Sequence, residues 1–196
     1  MRHQGRETGV AAISLLRAIN VGGNRLIKMD ALRALYESLG LAPARTHLQS
    51  GNVVFRAPAR ELPRLPARLS KAIEQTFGFH VDVIVRTAGE MRDVIRRNPF
   101  AGRNAVEPNR LLVYCLSADP TPEARAKALA LPPTPEELRL DGRQLYIYYP
   151  NGVGKATLQL AALERALAVQ GTGRNWNTIT RLVEIAEALN EDPASR

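Results

Sequence analysis

Two successive stretches of this chain carry the same order of hydrophobic periodicities, and that order narrows the fold more than any single motif. Residues 10–18 are an apolar run of strand type, broken at 20–24 (NVGGN). Residues 29–39 then carry Met29, Leu32, Leu35, Tyr36 and Leu39 at helical spacing, and Gly40 is a natural stop. Short strands at 45–49 and 52–57 flank a tight turn at Ser50 and Gly51. A helix over 62–77 follows, with its stable part starting near Pro66, then a strand over 80–86 and a helix over 89–97. The order returns as a strand at 111–117, a helix at 122–131, strands at 137–140 and 144–149 about Asp141 and Gly142, and a helix at 157–169. An extended piece at 171–174 and a helix at 177–189 close it.

A β-α-β-β-α-β order has a well-packed solution, a four-stranded antiparallel sheet with both helices on one face. The expected fold class is therefore α/β of the α+β type. It comprises two tandem ferredoxin-like βαββαβ units with antiparallel sheets and an additional helix after each. The expected boundaries are a tail at 1–9, a first unit at 10–98, a connector at 99–108, a second unit at 109–190 and a tail at 191–196. The duplication is one of element order, because residue identity between the halves is low.

Composition removes several classes. Apolar residues make up 45% of the chain, enough for a core and too many for a disordered one. No apolar run approaches the roughly 18 residues that span a bilayer, so no membrane partner is expected. Residues 1–10 are polar and mixed in charge, unlike a signal peptide. The single cysteine, Cys115, allows no internal disulfide; it sits in an apolar run and is expected to be a buried strand residue in a cytoplasmic protein. The net charge of +8 is uneven: residues 1–97 hold 16 Lys and Arg against 8 Asp and Glu, while residues 98–196 hold 11 of each. A basic half can attract phosphates or nucleic acid.

Four segments together resemble the bacterial domain-of-unknown-function family 1697: residues 15–24 (LLRAINVGGN), 49–55 (QSGNVVF), 98–100 (NPF) and 174–178 (RNWNT). The resemblance runs from about residue 12 to 188. It implies a duplicated ferredoxin-like fold in a bacterial cytoplasmic protein with no assigned activity, so no catalytic residue carries over. The Pro- and Arg-rich stretch at 57–68 is a local variation.

Chain direction then locates the loops. The end of the first strand and the hairpin between the second and third share one edge of the first sheet. Arg17, Asn20, Gly22, Gly23, Asn24, Gln49, Ser50 and Asn52 should converge there, with residues 78–80 nearby. One reading is a site for a small anionic, phosphate- or amide-bearing molecule, where Gly22 and Gly23 let backbone approach a phosphate. The other is that the glycines make turns and the amides cap loose backbone groups. In the second half, Lys155, Arg174 and Asn175 are the corresponding candidates, with residues 151–155 leading into a helix N-terminus and Asn177 as the cap of the last helix. Neither loop has P-loop or dinucleotide-binding spacing. His3, His47 and His80 lack metal-ligand spacing, no nucleophile elbow occurs, and neither metal nor cofactor is expected. Tyr114, Tyr146 and Tyr148 could line one sheet face. Nucleic-acid binding through the basic half, or a structural or partner-binding role, are the alternative functions. The residues set no oligomeric state.

Overall fold

The computed structural model describes residues 9–103 and 106–191. The tails expected at 1–9 and 191–196 fall almost wholly outside these residues, as does His3. In the first repeat the elements are β1 (Val10–Leu16), α1 (Met29–Ser38), β2 (Arg45–His47), β3 (Asn52–Ala57), α2 (Leu65–Phe77), β4 (Val83–Thr87) and α3 (Ala88–Arg96). In the second they are β5 (Leu111–Leu116), α4 (Pro122–Leu129), β6 (Glu137–Asp141), β7 (Gln144–Tyr148), α5 (Leu160–Leu167), β8 (Gly171–Asn175) and α6 (Trp176–Glu191). The strands form two four-stranded antiparallel sheets of matching order, β2-β3-β1-β4 and β6-β7-β5-β8. The duplicated α+β architecture is as expected.

The chain divides into two compact units, residues 1–92 with 181–196 and residues 93–180. The division falls inside α3 and inside α6, whereas the sequence reading split the chain at 99–108 and kept the last helix whole in the second unit.

In unit 1, alternation along the strands sends Ala12, Leu16, Val53, Phe55, Ala57 and Val83 to one face, where they pack with Leu32 and Tyr36 of α1 and Leu65, Leu69 and Ile73 of α2. Ser14 lies on that face too, and its hydroxyl meets the Tyr36 hydroxyl at 2.8 Å. Burial pushes the Tyr36 phenol well above its ordinary value, against a smaller opposing effect of this bond. The second face, with Ala11, Ile13, Leu15, Val54, Ile84 and Arg86, is buried as well. Arg56 on that face donates to Leu189 O at 3.2 Å, which brings the last turns of α6 to this unit.

In unit 2, Tyr114, Leu116, Leu145, Ile147 and Tyr149 pack against α4 and α5. Tyr114 therefore lies on the opposite face from Tyr146 and Tyr148, and the three tyrosines do not line one face. Gly171 and Gly173 leave room for the Tyr114 ring, since a Cβ at Gly171 would meet its Cε1 and Cδ1 atoms. The ring then reaches Glu164, whose Oε1 accepts from Tyr114 Oη at 2.7 Å and from the Gly171 amide at 2.8 Å. On the other face Tyr146 Oη donates to Val94 O at 2.7 Å, and Phe100 packs on Tyr148 at 5.8 Å between centroids. Cys115 is buried in β5 as expected.

Some boundaries move for local reasons. β2 is shorter than expected because Leu48 turns left-handed at φ 59°. Residues Ala59–Arg64 form a 3-10 turn before α2, and Pro66 sits in the first turn of the helix. Strand β4 begins at Val83, so His80 and Asp82 stand in the loop before it. The helix expected from residue 157 begins at Leu160, because the Glu136 carboxylate takes both the amide (2.8 Å) and the hydroxyl (3.1 Å) of Thr157.

Candidate functional site

The upper rim of unit 1 is assembled by the sheet register. At the end of β1 the Leu16 amide donates to Gly51 O and the Arg17 amide to Asp82 O, each at 2.9 Å. The β2–β3 hairpin and the approach to β4 are thus held on either side of Arg17. Strand spacing of about 4.8 Å puts the two roughly 10 Å apart.

Asn20 organises the loop that follows. Its Oδ1 accepts from the Ile27 amide at 2.8 Å, and its Nδ2 donates to Ile27 O at 3.1 Å and to Gln49 O at 2.7 Å. One side chain therefore closes the 20–27 loop on itself and ties it to the hairpin. The Asn20 amide donates to Arg25 O and the Asn24 amide to Val21 O, which leaves Gly22 and Gly23 at the tip. Both glycines are left-handed, at φ 62° and 78°, and a Cβ on either would meet nothing within 4 Å. Asn52 is buried and does similar work inside the hairpin, donating to His47 O (2.8 Å) and Ser50 Oγ (3.0 Å). The rim thus does bring together Arg17, Asn20, Gln49, Ser50 and Asn52. The Asn20 and Asn52 amides, however, are spent on backbone and hairpin bonds.

Strain is concentrated here. Among the described residues, five besides glycine have positive φ, and four of them are Ala18, Asn20, Arg25 and Leu48. Each left-handed residue of this kind costs roughly 1–2 kcal/mol, less for Asn, and such costs gather where a surface is kept for use. The cations are Arg17, paired with Asp82 at 3.8 Å, and the exposed Arg25 and Lys28. Lys28 occupies the N-cap of α1 with no side-chain cap, where Ser, Thr, Asp or Asn would be usual. A cation beside the positive end of a helix works against the dipole, so helix stability does not account for it. His80 completes the rim, 3.2 Å from Asp82 and 3.7 Å from Glu74. These are exposed, solvent-screened pairs.

His47 on β2 is half-buried. Partial burial, then the Arg181 charge, hold its imidazole below the ordinary value. The unfolded chain therefore binds this proton more readily, and unit 1 loses stability as pH falls below about 6.5. Melting wild type and His47→Gln across that range should give a smaller acid-side loss for the variant.

The second set of candidates does not form a comparable cluster. Lys155 is exposed in a 3-10 turn, Val153–Lys155, separated from α5 by residues 156–159, so 151–155 does not lead into a helix N-terminus. Arg174 is buried on the second face of its sheet, bonded to Thr172 Oγ1 and Gly173 O at 2.8 Å each. Burial pushes its guanidinium down to about 10, with the neighbouring Cys115 opposing that shift. Asn175, rather than Asn177, caps α6: its Oδ1 accepts from the Asn177 amide at 3.0 Å, and its Nδ2 donates to Asn109 O at 2.9 Å. Arg86 holds the place in β4 that Arg174 holds in β8, opposite Ile13 and Val113 respectively, and it is also buried. Sequence reasoning missed that equivalence because the flanking residues differ. An open groove of about 340 Å³ along α5, lined by Ala161, Glu164, Arg165, Ala168, Val169 and Gln170, contains none of the candidates. Among the described residues no group of three or more His, Cys, Asp or Glu could hold a metal ion. No helix among them is long and apolar enough to cross a membrane.

The rim lies within the part of the chain that a known family model matches. The family model described as Protein of unknown function (DUF1697) matches residues 10–146, which include both rim segments. Among solved structures, the conserved bacterial protein SP0830 from Streptococcus pneumoniae is similar, with a TM-score of 0.68 at 18% identity, over 91% of this chain and 99% of that one. At that identity the likeness is one of fold. No curated protein matches the sequence. With more than half its length matched by the family model, and with the duplicated sheets in place, the chain belongs to the DUF1697 family.

Proposed function

We propose that this protein binds a small anionic, phosphate-bearing ligand at the upper rim of unit 1. The observation that carries the reading is the 20–27 loop itself. Asn20 spends its whole side chain on holding that loop upright against the hairpin, and the loop's tip is Gly22 and Gly23, open to solvent. Left-handed glycine backbone of this kind presents amide N–H groups to an anion. Arg17, Arg25 and Lys28 supply positive charge beside it. The phosphate-bearing class is favoured over the amide-bearing one because two of the side-chain amides at the rim, those of Asn20 and Asn52, are bonded to backbone and hairpin groups.

The test is thermal shift against inorganic phosphate, nucleotides and sugar phosphates. A ligand that binds only the folded state at one hundred times its Kd stabilises it by about 2.7 kcal/mol. The expected result is a phosphate-dependent rise in Tm that Arg25→Ala/Lys28→Ala abolishes, while the same variant melts normally without ligand. A shift that survives in that variant would remove the rim from consideration.

A further inference from the structure

Unit 2 repeats the corner of unit 1 without its charges. At the end of β5 the Leu116 amide donates to Arg143 O at 2.9 Å and the Ser117 amide to Gln170 O at 2.8 Å, the same two bonds that Leu16 and Arg17 make at the end of β1. Ser117 and Gln170 thus stand where unit 1 has Arg17 and Asp82. The corner closes with neutral residues in unit 2, so closing the sheet does not account for the charged pair in unit 1. A third group extends that pair. The Asp82 carboxylate is shared: Oδ2 lies 3.8 Å from Arg17 Nη1, and Oδ1 lies 3.2 Å from His80 Nε2. Across the ring, His80 Nδ1 lies 3.4 Å from Ser70 Oγ and 3.7 Å from Glu74 Oε2, both on α2. With Asp30 in the first turn of α1, the carboxylates Asp30, Glu74 and Asp82 balance the cations Arg17, Arg25 and Lys28. The charge of His80 therefore decides whether the rim is neutral or positive. His47, on the hairpin, faces the Arg181 charge instead.

We propose that His80 regulates the anion site by competing with Arg17 for the Asp82 carboxylate. The proposal rests on the anion-binding reading of the rim and adds its control. In the neutral ring, Nε2–H donates to Asp82 while Nδ1 accepts the Ser70 hydroxyl, and Asp82 keeps Arg17 engaged. In the protonated ring both N–H groups face carboxylates, Asp82 on one side and Glu74 on the other. Asp82 is then drawn to the imidazolium, the Arg17 guanidinium turns to the anion, and the rim gains one positive charge. Histidine is the side chain whose charge ordinarily changes between about pH 5 and 8, so anion affinity rises as pH falls through that range. The pairs are exposed and screened, which limits the gain to about fivefold.

The experiment is titration calorimetry of the full chain with inorganic sulfate at about pH 5.5 and about pH 8, at one ionic strength. Sulfate keeps the same charge across this range, so any pH dependence belongs to the protein. Wild type is expected to bind about fivefold more tightly at the lower pH. His80→Gln should bind equally at both, and His47→Gln should keep the wild-type difference. Asp82→Asn retains the backbone carbonyl that holds the Arg17 amide, and should bind more tightly than wild type at the higher pH because Arg17 is no longer shared. A purely structural Asp82 would give no such gain. Sulfate binding that is indifferent to pH in wild type would overturn the regulation and leave the anion-binding reading standing. Absence of sulfate binding at both pH values would overturn that reading with it. A pH dependence that survives in His80→Gln, or disappears in His47→Gln, would overturn the assignment to His80. Weaker binding by Asp82→Asn at the higher pH would overturn the competition for the carboxylate.

Discussion

Gly51→Ala is expected to destabilise unit 1 by about 3 kcal/mol or more, through two effects at one atom. Gly51 has φ 74°, where an L side chain is strained by roughly 1–2 kcal/mol. An added Cβ would also lie 2.6 Å from Ile19 Cδ1 and 2.8 Å from Leu16 Cβ. The first atom can swing aside; the second is fixed to the backbone of β1, whose next amides hold the rim together. Relief would therefore require the hairpin to lift, breaking the bond from the Leu16 amide to Gly51 O. Gly22→Ala is the control. Its φ is 62° but a Cβ there meets nothing, so only the backbone cost of about 1 kcal/mol should appear. Urea unfolding of both variants separates the terms. Equal losses would mean that the contact at Gly51 relaxes freely.

The next largest effect is expected at Asn20. Asn20→Ala removes three hydrogen bonds, each worth about 1 kcal/mol net, and puts a less tolerant residue at φ 55°. The expected loss is about 3–4 kcal/mol if the 20–27 loop must stay in place for unit 1 to fold. Asn20→Gly relieves the backbone but restores no bond, and should recover about 1 kcal/mol of that loss. Both variants should lose the phosphate shift, because the glycine tip is no longer held against the hairpin. Retention of that shift in Asn20→Gly would place the anion elsewhere on the molecule.

The candidate rim was partly legible before any coordinates. Antiparallel chain direction alone put Arg17, Asn20, Gln49, Ser50 and Asn52 at one edge. What the residue types left open was whether those amides faced a ligand or the backbone. Both readings use the same side chains with the same donors and acceptors; the choice depends on angles and distances set by neighbours 5 to 29 residues away. The exposure of Val21, Leu26 and Leu48 is not legible in sequence, because an aliphatic residue inside a loop gives no sign of whether it turns inward. Asn175 displaced Asn177 as the cap of α6 because β8 runs directly into the helix, with no intervening loop for an Asn to sit in. The start of α5 at Leu160 has a different cause. Residue 157 fits a helical pattern, but Glu136, 21 residues earlier, holds its amide in an extended stretch.

Periodicity and turn residues suffice for the element order, the duplication and the pairing of each sheet. Those are local preferences repeated along the chain, and the βαββαβ order leaves few alternative ways to bury the faces. Tertiary structure alone decides that the second face of each sheet is buried, that Arg86 and Arg174 lie on those faces, and that α6 ends against the first unit. The bond from Arg56 to Leu189 spans 133 residues. No window of sequence contains both partners, so no periodicity records their meeting. The same holds for the upper rim, where chain order supplied the residues and long-range bonds left a glycine tip, three aliphatic side chains and two cations facing solvent.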